Sequence, residues 1–181
     1  MNDEFIALLR GINVGGHKKV KMADLRDLFE NLGFDNVKTY IQSGNVVFKS
    51  EIKDIGFLEH RVSKAILDYF GFEVPVIIIE GVEVKRIVDN NPFTDAEDIQ
   101  ANKVYFVLLK RRPTQEALDV LSSLHFENEQ LVTTPACVYL KCDLGAGKAK
   151  CNNNLIENRL KIAATSRNHR TMLKLLELLA D

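Results

Sequence analysis

Glycines and basic residues concentrate in one segment near the N-terminus, and this combination could bind an anion. Residues 10–21 hold three of the ten glycines together with five basic side chains. Glycines let successive backbone N–H groups converge on a phosphate or carboxylate, and a following helix N-terminus adds positive potential. The spacing matches neither the dinucleotide fingerprint nor the P-loop. A solvated surface loop is the alternative to the ligand contacts predicted here, which are Arg10, Gly11, Asn13, Gly15, Gly16 and Lys18.

A second basic loop lies at residues 145–150, with the sequence GAGKAK. It is not a P-loop, because Ala149 stands where a magnesium-binding Ser or Thr is required. Lys148 is its predicted ligand residue. We expect the first and third strands of the surrounding unit to be parallel neighbours, which would bring residues 111–112, both Arg, close to Lys148 and Lys150. The resulting cluster of four cations would attract an anion; a solubilising rim is the alternative.

A third cluster, near the C-terminus, contains Arg167, Asn168 and Arg170. Asn168 is a good N-cap for the helix predicted to follow it. Capping does not explain two arginines at a helix N-terminus, where the helix dipole disfavours cations. We therefore predict that all three residues contact a ligand, unless a carboxylate such as Asp143 or Glu157 pairs with the arginines.

The segment 42–45 (QSGN) is predicted to be a hairpin turn, since Gly and Asn suit turn backbones. We expect it at the sheet edge opposite Arg10, roughly 15–20 Å away at 3.3 Å per strand residue. Ser43 is not assigned as a nucleophile, because no base lies beside it in the sequence.

Neither the four histidines nor the three cysteines have the spacing of metal ligands. The odd number of cysteines fits a reducing compartment without a disulfide framework. No metal and no cofactor are predicted. Catalytic residues stay unassigned, and the sequence leaves open whether the protein is an enzyme.

The predicted elements form the order β-α-β-β-α-β twice, which is the ferredoxin-like unit repeated. We therefore predict an α+β fold of two tandem ferredoxin-like halves with a connecting helix and a C-terminal helix. The predicted domains are residues 1–80, a connecting helix and loop at 81–102, and residues 103–181, which include the terminal helix. Pro75 lacks an N–H, which favours an edge position for the strand at 74–79. The last strand is expected at residues 162–165.

Composition narrows the class of protein. The 181 residues carry 24 Lys and Arg against 25 Asp and Glu, for a net charge of −1. No apolar run approaches the roughly 20 residues that span a bilayer, so no membrane partner is expected. The N-terminal residues are acidic, where a signal peptide needs a basic region, and this predicts a cytoplasmic protein.

Three segments carry a resemblance to a known family. They are residues 8–16 (LLRGINVGG), 40–48 (YIQSGNVVF) and 164–168 (ATSRN). Together they resemble a bacterial family known as domain-of-unknown-function family 1697, over almost the whole chain. The resemblance implies a two-part α+β fold with ferredoxin-like halves and supplies no activity. The family usually has Trp after the Arg-Asn pair, where this chain has His169.

Several functions are compatible with these patterns. The first is binding of a small anionic ligand by the glycine-rich basic loops. A second is RNA binding on the sheet face, as in RRM domains, through Tyr139 and Tyr105 or Phe106; the sequence isoelectric point near 6.4 argues against it. A third is an enzyme of unknown class with a cleft between the two halves. A fourth is a homodimer formed through the edge strand at residues 76–79.

Overall fold

A computed structural model describes residues 3–180 of the chain. Its contacts divide the chain into two compact units, Met1–Lys85 with Leu175–Asp181, and Arg86–Lys174. The domain boundaries predicted from the sequence, at residues 80 and 103, stay a prediction. Across residues 3–180, no helix combines the length and the apolar character needed to cross a bilayer.

The first unit has the predicted β-α-β-β-α-β order. Its elements are β1 (Asp3–Leu9), α1 (Met22–Asn31), β2 (Asp35–Tyr40), β3 (Asn45–Ser50), α2 (Ile55–Phe70) and β4 (Val76–Glu80). The four strands form one sheet in the order β2-β3-β1-β4. Every neighbouring pair is antiparallel.

Short-range signals in the sequence explain where the helices of this unit begin and end. The Asp54 carboxylate accepts a hydrogen bond from Phe57 N at 2.9 Å and so caps α2. Gly71 ends α2 in the left-handed conformation, with φ +79°. One face of the sheet packs on α1 and α2 around Phe48, whose ring lies 4.6 Å from that of Phe34 and 5.4 Å from that of Phe29.

The prediction that β4 is an edge strand is confirmed. A buried carboxylate already occupies part of this edge, because Ile78 N donates to Glu59 Oε1 at 3.0 Å. Glu59 is only 7% exposed. A second chain pairing with β4 would have to displace this side chain.

The second unit repeats the pattern after two connecting helices. The elements from the connection onward are α3 (Gly81–Asp89), α4 (Ala96–Gln100), β5 (Val104–Leu109), α5 (Gln115–Ser122), β6 (Glu129–Thr133), β7 (Cys137–Cys142), a 3-10 turn (Ala146–Lys148), α6 (Asn153–Leu160), β8 (Ala164–Asn168) and α7 (His169–Ala180). The sheet order is β6-β7-β5-β8. The α+β fold of two ferredoxin-like units is therefore confirmed.

Two elements differ from the sequence prediction. The helix α4 was missed because it has only five residues and no apolar stripe; the Asp95 side chain caps it through bonds to Glu97 N and Asp98 N. The last strand begins at Ala164 rather than at residue 162 and runs on to Asn168. Its polar residues pair with the apolar strand β5. The residue pattern of this segment alone does not indicate that pairing.

The expectation that the first and third strands are parallel is wrong. In each unit they are antiparallel neighbours, with Leu8 opposite Asn45 and Leu108 opposite Cys137. The third strand lies between the first and second strands and runs against both of them. The chain leaving β7 therefore starts beside Lys103, at the beginning of β5, where Cys142 N donates to Lys103 O at 2.9 Å.

This topology removes the predicted cluster of four cations. Residues 111–112 follow the end of β5, whereas Lys148 and Lys150 follow the end of β7. Because β5 and β7 are antiparallel neighbours, these two strand ends lie at opposite ends of the sheet, and the basic residues do not gather at one end.

Candidate functional site

The glycine-rich segment of residues 10–21, called the finger below, is a small hairpin. Asn13 N donates to Lys18 O at 3.1 Å, and His17 N donates to Val14 O at 3.1 Å. Gly15 and Gly16 connect the two arms with φ of +58° and +79°. A type I′ turn requires positive φ at both central residues, so turn geometry accounts for both glycines.

The side chain of Asn13 holds the base of the finger. Its amide nitrogen donates to Val20 O at 2.9 Å and to Gln42 O at 2.8 Å. Its amide oxygen accepts from Val20 N at 2.9 Å. These bonds use both amide hydrogens of Asn13, so its side chain positions the loop.

The turn of residues 41–44 lies directly beside the finger, which corrects the expected separation of roughly 15–20 Å. Leu9 N donates to Gly44 O at 2.8 Å. A Cβ atom on Gly44 would lie 2.6 Å from Leu9 Cβ and 2.7 Å from Ile12 Cδ1. Residues 8–16 and 40–48, two of the three segments that carry the family resemblance, are therefore in contact in one unit.

Ile41 has an unusual backbone conformation within this turn. Its φ is +49°, in the left-handed region, although it is a β-branched residue, and its side chain is 48% exposed. Such residues avoid this region because Cβ approaches the following carbonyl group. Asn45 holds the turn from inside by donating to Tyr40 O at 2.9 Å and to Ser43 Oγ at 3.0 Å.

A groove of about 500 Å³ opens between the finger and the exposed side of α2. Its apolar lining is Leu67, Val74 and Pro75, and its polar lining is Lys18, His60, Ser63, Lys64 and Glu73. The α2 residues of this lining are three and four positions apart, so they share one helix face. That spacing is the signal in the sequence that could have indicated a shared surface along α2.

Ion pairs and hydrogen bonds fix two of the groove's cations. Lys18 Nζ donates to Glu73 O at 2.7 Å, which ties the finger to the loop before β4. Lys64 Nζ lies 2.6 Å from Asp68 Oδ2, in an exposed pair one helical turn apart. Exposed pairs of this kind contribute little stability, so a bound anion could compete with Asp68 for Lys64.

In the second unit, a carboxylate of the chain itself occupies the basic loop at residues 145–150. Glu129 Oε1 accepts from Lys150 N at 2.7 Å, and Glu129 Oε2 accepts from Cys151 N at 2.6 Å. Lys148 is exposed on the 3-10 turn beside a cavity of about 80 Å³. The loop therefore does converge N–H groups on an oxyanion, and that oxyanion is Glu129.

The Arg167–Arg170 cluster has mostly structural contacts. Arg167 is 7% exposed, and its Nη1 donates to Thr165 Oγ1 and to Ser166 O, both at 2.8 Å. Burial lowers the pKa of this guanidinium to about 10. Asn168 Oδ1 accepts from Thr171 N at 2.9 Å, so its predicted role as the cap of α7 is confirmed. Arg170 is exposed.

The three aromatic residues considered for RNA binding differ in their burial. Phe106 and Tyr139 are buried, with ring centroids 5.6 Å apart. Tyr139 Oη donates to Ile87 O at 2.9 Å. Tyr105 is half-buried, and burial raises its pKa.

All three cysteines are free and buried. Burial raises the pKa of Cys137, and burial together with the nearby Glu129 carboxylate raises the pKa of Cys142 and of Cys151 to about 12. Such thiols are protonated near neutral pH and are poor nucleophiles. Within residues 3–180, no group of three or more His, Cys, Asp or Glu side chains could hold a metal ion.

The ten predicted ligand residues thus fall in different places. Six belong to the finger, and four belong to the second unit. Within the first unit, the structure adds two features that the sequence did not predict, namely the contact of the finger with the turn at residues 41–44 and the groove along α2.

Comparison with known proteins identifies the family. A family model described as "Protein of unknown function (DUF1697)" matches residues 2–139. No curated protein matches the chain. The solved structure of the conserved bacterial protein SP0830 from Streptococcus pneumoniae is similar in fold, with a TM-score of 0.74, 22% sequence identity and 99% of each chain covered. On the family match, which spans most of its length, this chain belongs to family DUF1697, whose function is unknown.

Proposed function

We propose that this protein binds a small molecule bearing a phosphate or carboxylate group, in the groove between the finger and α2. The observation that carries the proposal is that Lys18, His60, Ser63 and Lys64 line one groove of about 500 Å³. Two cationic ammonium groups and a hydroxyl donor suit an oxyanion. The apolar wall would cover the body of the ligand, as in most small-molecule sites.

The finger would act by holding Lys18 in place. The backbone of Lys18 has φ +46°, and its carbonyl accepts from Asn13 N. A lysine on a fixed loop loses less conformational freedom when it binds than one on a mobile loop. Gly15, Gly16 and Asn13 would therefore contribute to ligand binding by holding Lys18 in position, without touching the ligand themselves.

Binding is proposed without a reaction. The cations predicted in the second unit are not part of this proposal, since the loop of Lys148 already holds Glu129 and Arg167 is buried. A cytoplasmic location is part of the proposal, and three free, buried thiols support it. A nucleic-acid ligand is not proposed, because Phe106 and Tyr139 are buried.

The test is an NMR titration of the full, 15N-labelled chain with inorganic phosphate, a nucleoside monophosphate and a short-chain carboxylate, each at millimolar concentration. We expect shifts at the amides of residues 18, 63, 64 and 73–74 for at least one ligand. Lys18→Ala and Lys64→Ala should each weaken that binding by about tenfold. Lys53→Ala removes an equally exposed lysine that pairs with Asp3 and lines no part of the groove, so it should bind normally.

Two results would overturn the proposal. One is the absence of any shift in the groove with all three ligands. The other is binding that Lys18→Ala and Lys64→Ala reduce no more than Lys53→Ala does, since the anion would then be held by general surface charge.

A further inference from the structure

We propose that the finger and the adjoining turn form a docking surface for a segment of another protein that carries acidic and aliphatic side chains. This surface consists of the finger at residues 10–21 and the turn at residues 41–44. The two are joined by the bond from Asn13 Nδ2 to Gln42 O and by the close packing of Gly44 on Leu9 and Ile12. The inference does not rest on the groove along α2, to which the finger contributes only Lys18.

The surface carries positive charge without compensating carboxylates in its own segments. From residue 8 to residue 23, and again from residue 36 to residue 50, the sequence contains no Asp or Glu. His17, Lys19 and Lys21 are exposed on the finger. Because the whole chain has a net charge of −1, this excess is local and would attract an acidic partner to this place.

Two aliphatic side chains project beside these cations. Val14, next to the glycine turn of the finger, is 67% exposed, and Ile41 in the adjoining turn is 48% exposed. Single exposed apolar residues are common, but here both lie in segments that Asn13 bonds together. Burying both against aliphatic side chains of a partner would add hydrophobic stabilisation to the charge attraction.

The backbone at Ile41 gives a second, independent reason to assign a function to this turn. A β-branched residue at φ +49° is strained relative to a residue that tolerates the left-handed region, such as Asn or Gly. Because its side chain is exposed, packing against the surrounding protein does little to offset this backbone strain. Strained residues of this kind concentrate at binding sites, where contacts with a partner offset their cost.

The chemistry of the exposed groups favours a protein partner over a nucleic acid. Binding of single-stranded nucleic acid uses aromatic rings on which bases stack. Residues 8–23 contain no Phe, Tyr or Trp, and the exposed apolar groups are aliphatic. An acidic segment with leucine, isoleucine or valine satisfies both the charge and the apolar contacts.

The decisive variant is Ile41→Asn, because it separates folding from binding. Asn adopts the left-handed region readily, so this variant should fold and raise the midpoint of thermal unfolding by about 2–4 °C. It also removes the apolar contact. The probe is a short synthetic peptide of alternating glutamate and leucine, titrated into the full 15N-labelled chain. We expect shifts confined to residues 14–21 and 41–43 and affinity reduced about tenfold in Ile41→Asn with Val14→Ser.

Three comparison probes define the outcome. A glutamate and serine peptide tests the apolar contact, a lysine and leucine peptide tests the charge, and an oligouridylate tests nucleic acid; all three should bind at least about tenfold more weakly. The proposal is overturned if the glutamate and leucine peptide causes no shifts at these residues, if the double variant binds it as the wild type does, or if the oligouridylate binds best. Phosphate and carboxylate titrations of the same double variant should be unchanged, which separates this proposal from that of the groove.

Discussion

At the scale of single residues, His169 combines a buried polar atom with an aromatic contact. Its Nδ1 is buried and has no hydrogen-bond partner within residues 3–180, while its ring lies 5.9 Å from that of Phe106. Burial lowers the pKa of the imidazole. The folded state therefore favours the neutral ring, packed as an aromatic side chain would be.

His169→Phe should stabilise the protein by about 1 kcal/mol near neutral pH, because it keeps the packing and removes the unsatisfied nitrogen. It should also remove one source of acid sensitivity. Unfolded histidine takes up a proton near its ordinary pKa of about 6.5, whereas His169 in the folded state does so only at lower pH. Stability contributed by this residue is thus present above about pH 6.5 and is lost as the pH falls below that value.

Urea unfolding at about pH 7.5 and pH 5.5 measures both effects. The fall in unfolding free energy between these values should be smaller in His169→Phe than in the wild type. An equal fall in both proteins would show that His169 does not contribute to the pH dependence. Phe57→Leu, which changes an exposed position of α2 and no titratable group, is the control and should leave the fall unchanged.

Gly44 and Gly33 provide a matched pair for backbone strain with and without a steric clash. Both have a positive φ, +75° and +78°. A Cβ at Gly44 would meet Leu9 at 2.6 Å, whereas a Cβ at Gly33 would meet nothing within 4 Å. Gly33→Ala should cost about 1 kcal/mol for the backbone alone, and Gly44→Ala about 2–4 kcal/mol because packing strain adds to it. Equal losses in urea unfolding would contradict the close approach of the turn to β1.

At the scale of elements, the edge strand β4 shows how one side chain protects a sheet. An edge strand leaves backbone N–H groups without strand partners, which invites pairing with another chain. Here Glu59 reaches from α2 to Ile78 N and ties the helix to the strand it packs on. The predicted homodimer through β4 stays a prediction, and it would require this contact to open.

Glu59→Ala should destabilise the protein by about 2 kcal/mol, since it leaves a buried N–H without its acceptor. Hydrogen exchange at the Ile78 amide should accelerate by more than the global loss of stability explains. Glu59→Gln retains a carbonyl acceptor and should preserve most of the protection. The exposed Glu30→Ala on α1 is the control and should change stability by no more than about 0.5 kcal/mol. Unchanged exchange at Ile78 in Glu59→Ala would contradict the assigned contact.

At the scale of the whole molecule, each unit contains its own hydrophobic core. The first unit's core joins the inner face of its sheet to α1 and α2, and includes Phe5, Phe29 and Phe48. The second unit's core joins its sheet to α5 and α6, and includes Leu121 and Ile156. Each core follows from a repeat of the same element order in the sequence.

Phe48→Leu tests whether the two cores respond separately. It should destabilise the first unit by roughly 1–2 kcal/mol, because it removes ring contacts with Phe5, Phe29 and Phe34. Hydrogen exchange should accelerate in β1 and β3 more than in β5 and β7. Phe57→Leu, at an exposed position on α2, should change neither. Equal acceleration in all four strands would show that the units unfold as one.

The fold was predictable because local sequence patterns indicate its helices, strands and turns. Alternating and helical spacings, a glycine such as Gly71 and a cap such as Asn168 report on residues a few positions away. The site was predictable only in part. The finger stood out by its glycines and cations, but its contact with Gln42 and Gly44 depends on a pairing 29 to 35 residues away in the chain.

The sequence alone determined the order of elements, the repeat of the ferredoxin-like unit and the concentration of basic residues in the finger, since each depends on residue types and short spacings. Only the tertiary structure decided which of those residues remain available. Strand direction placed the turn beside the finger, where Asn13 donates to Gln42 O, and separated Lys148 from residues 111–112, while packing of the sheet buried Arg167. These outcomes depend on pairing between residues that are far apart in the sequence, and no short segment of the sequence indicates such pairing.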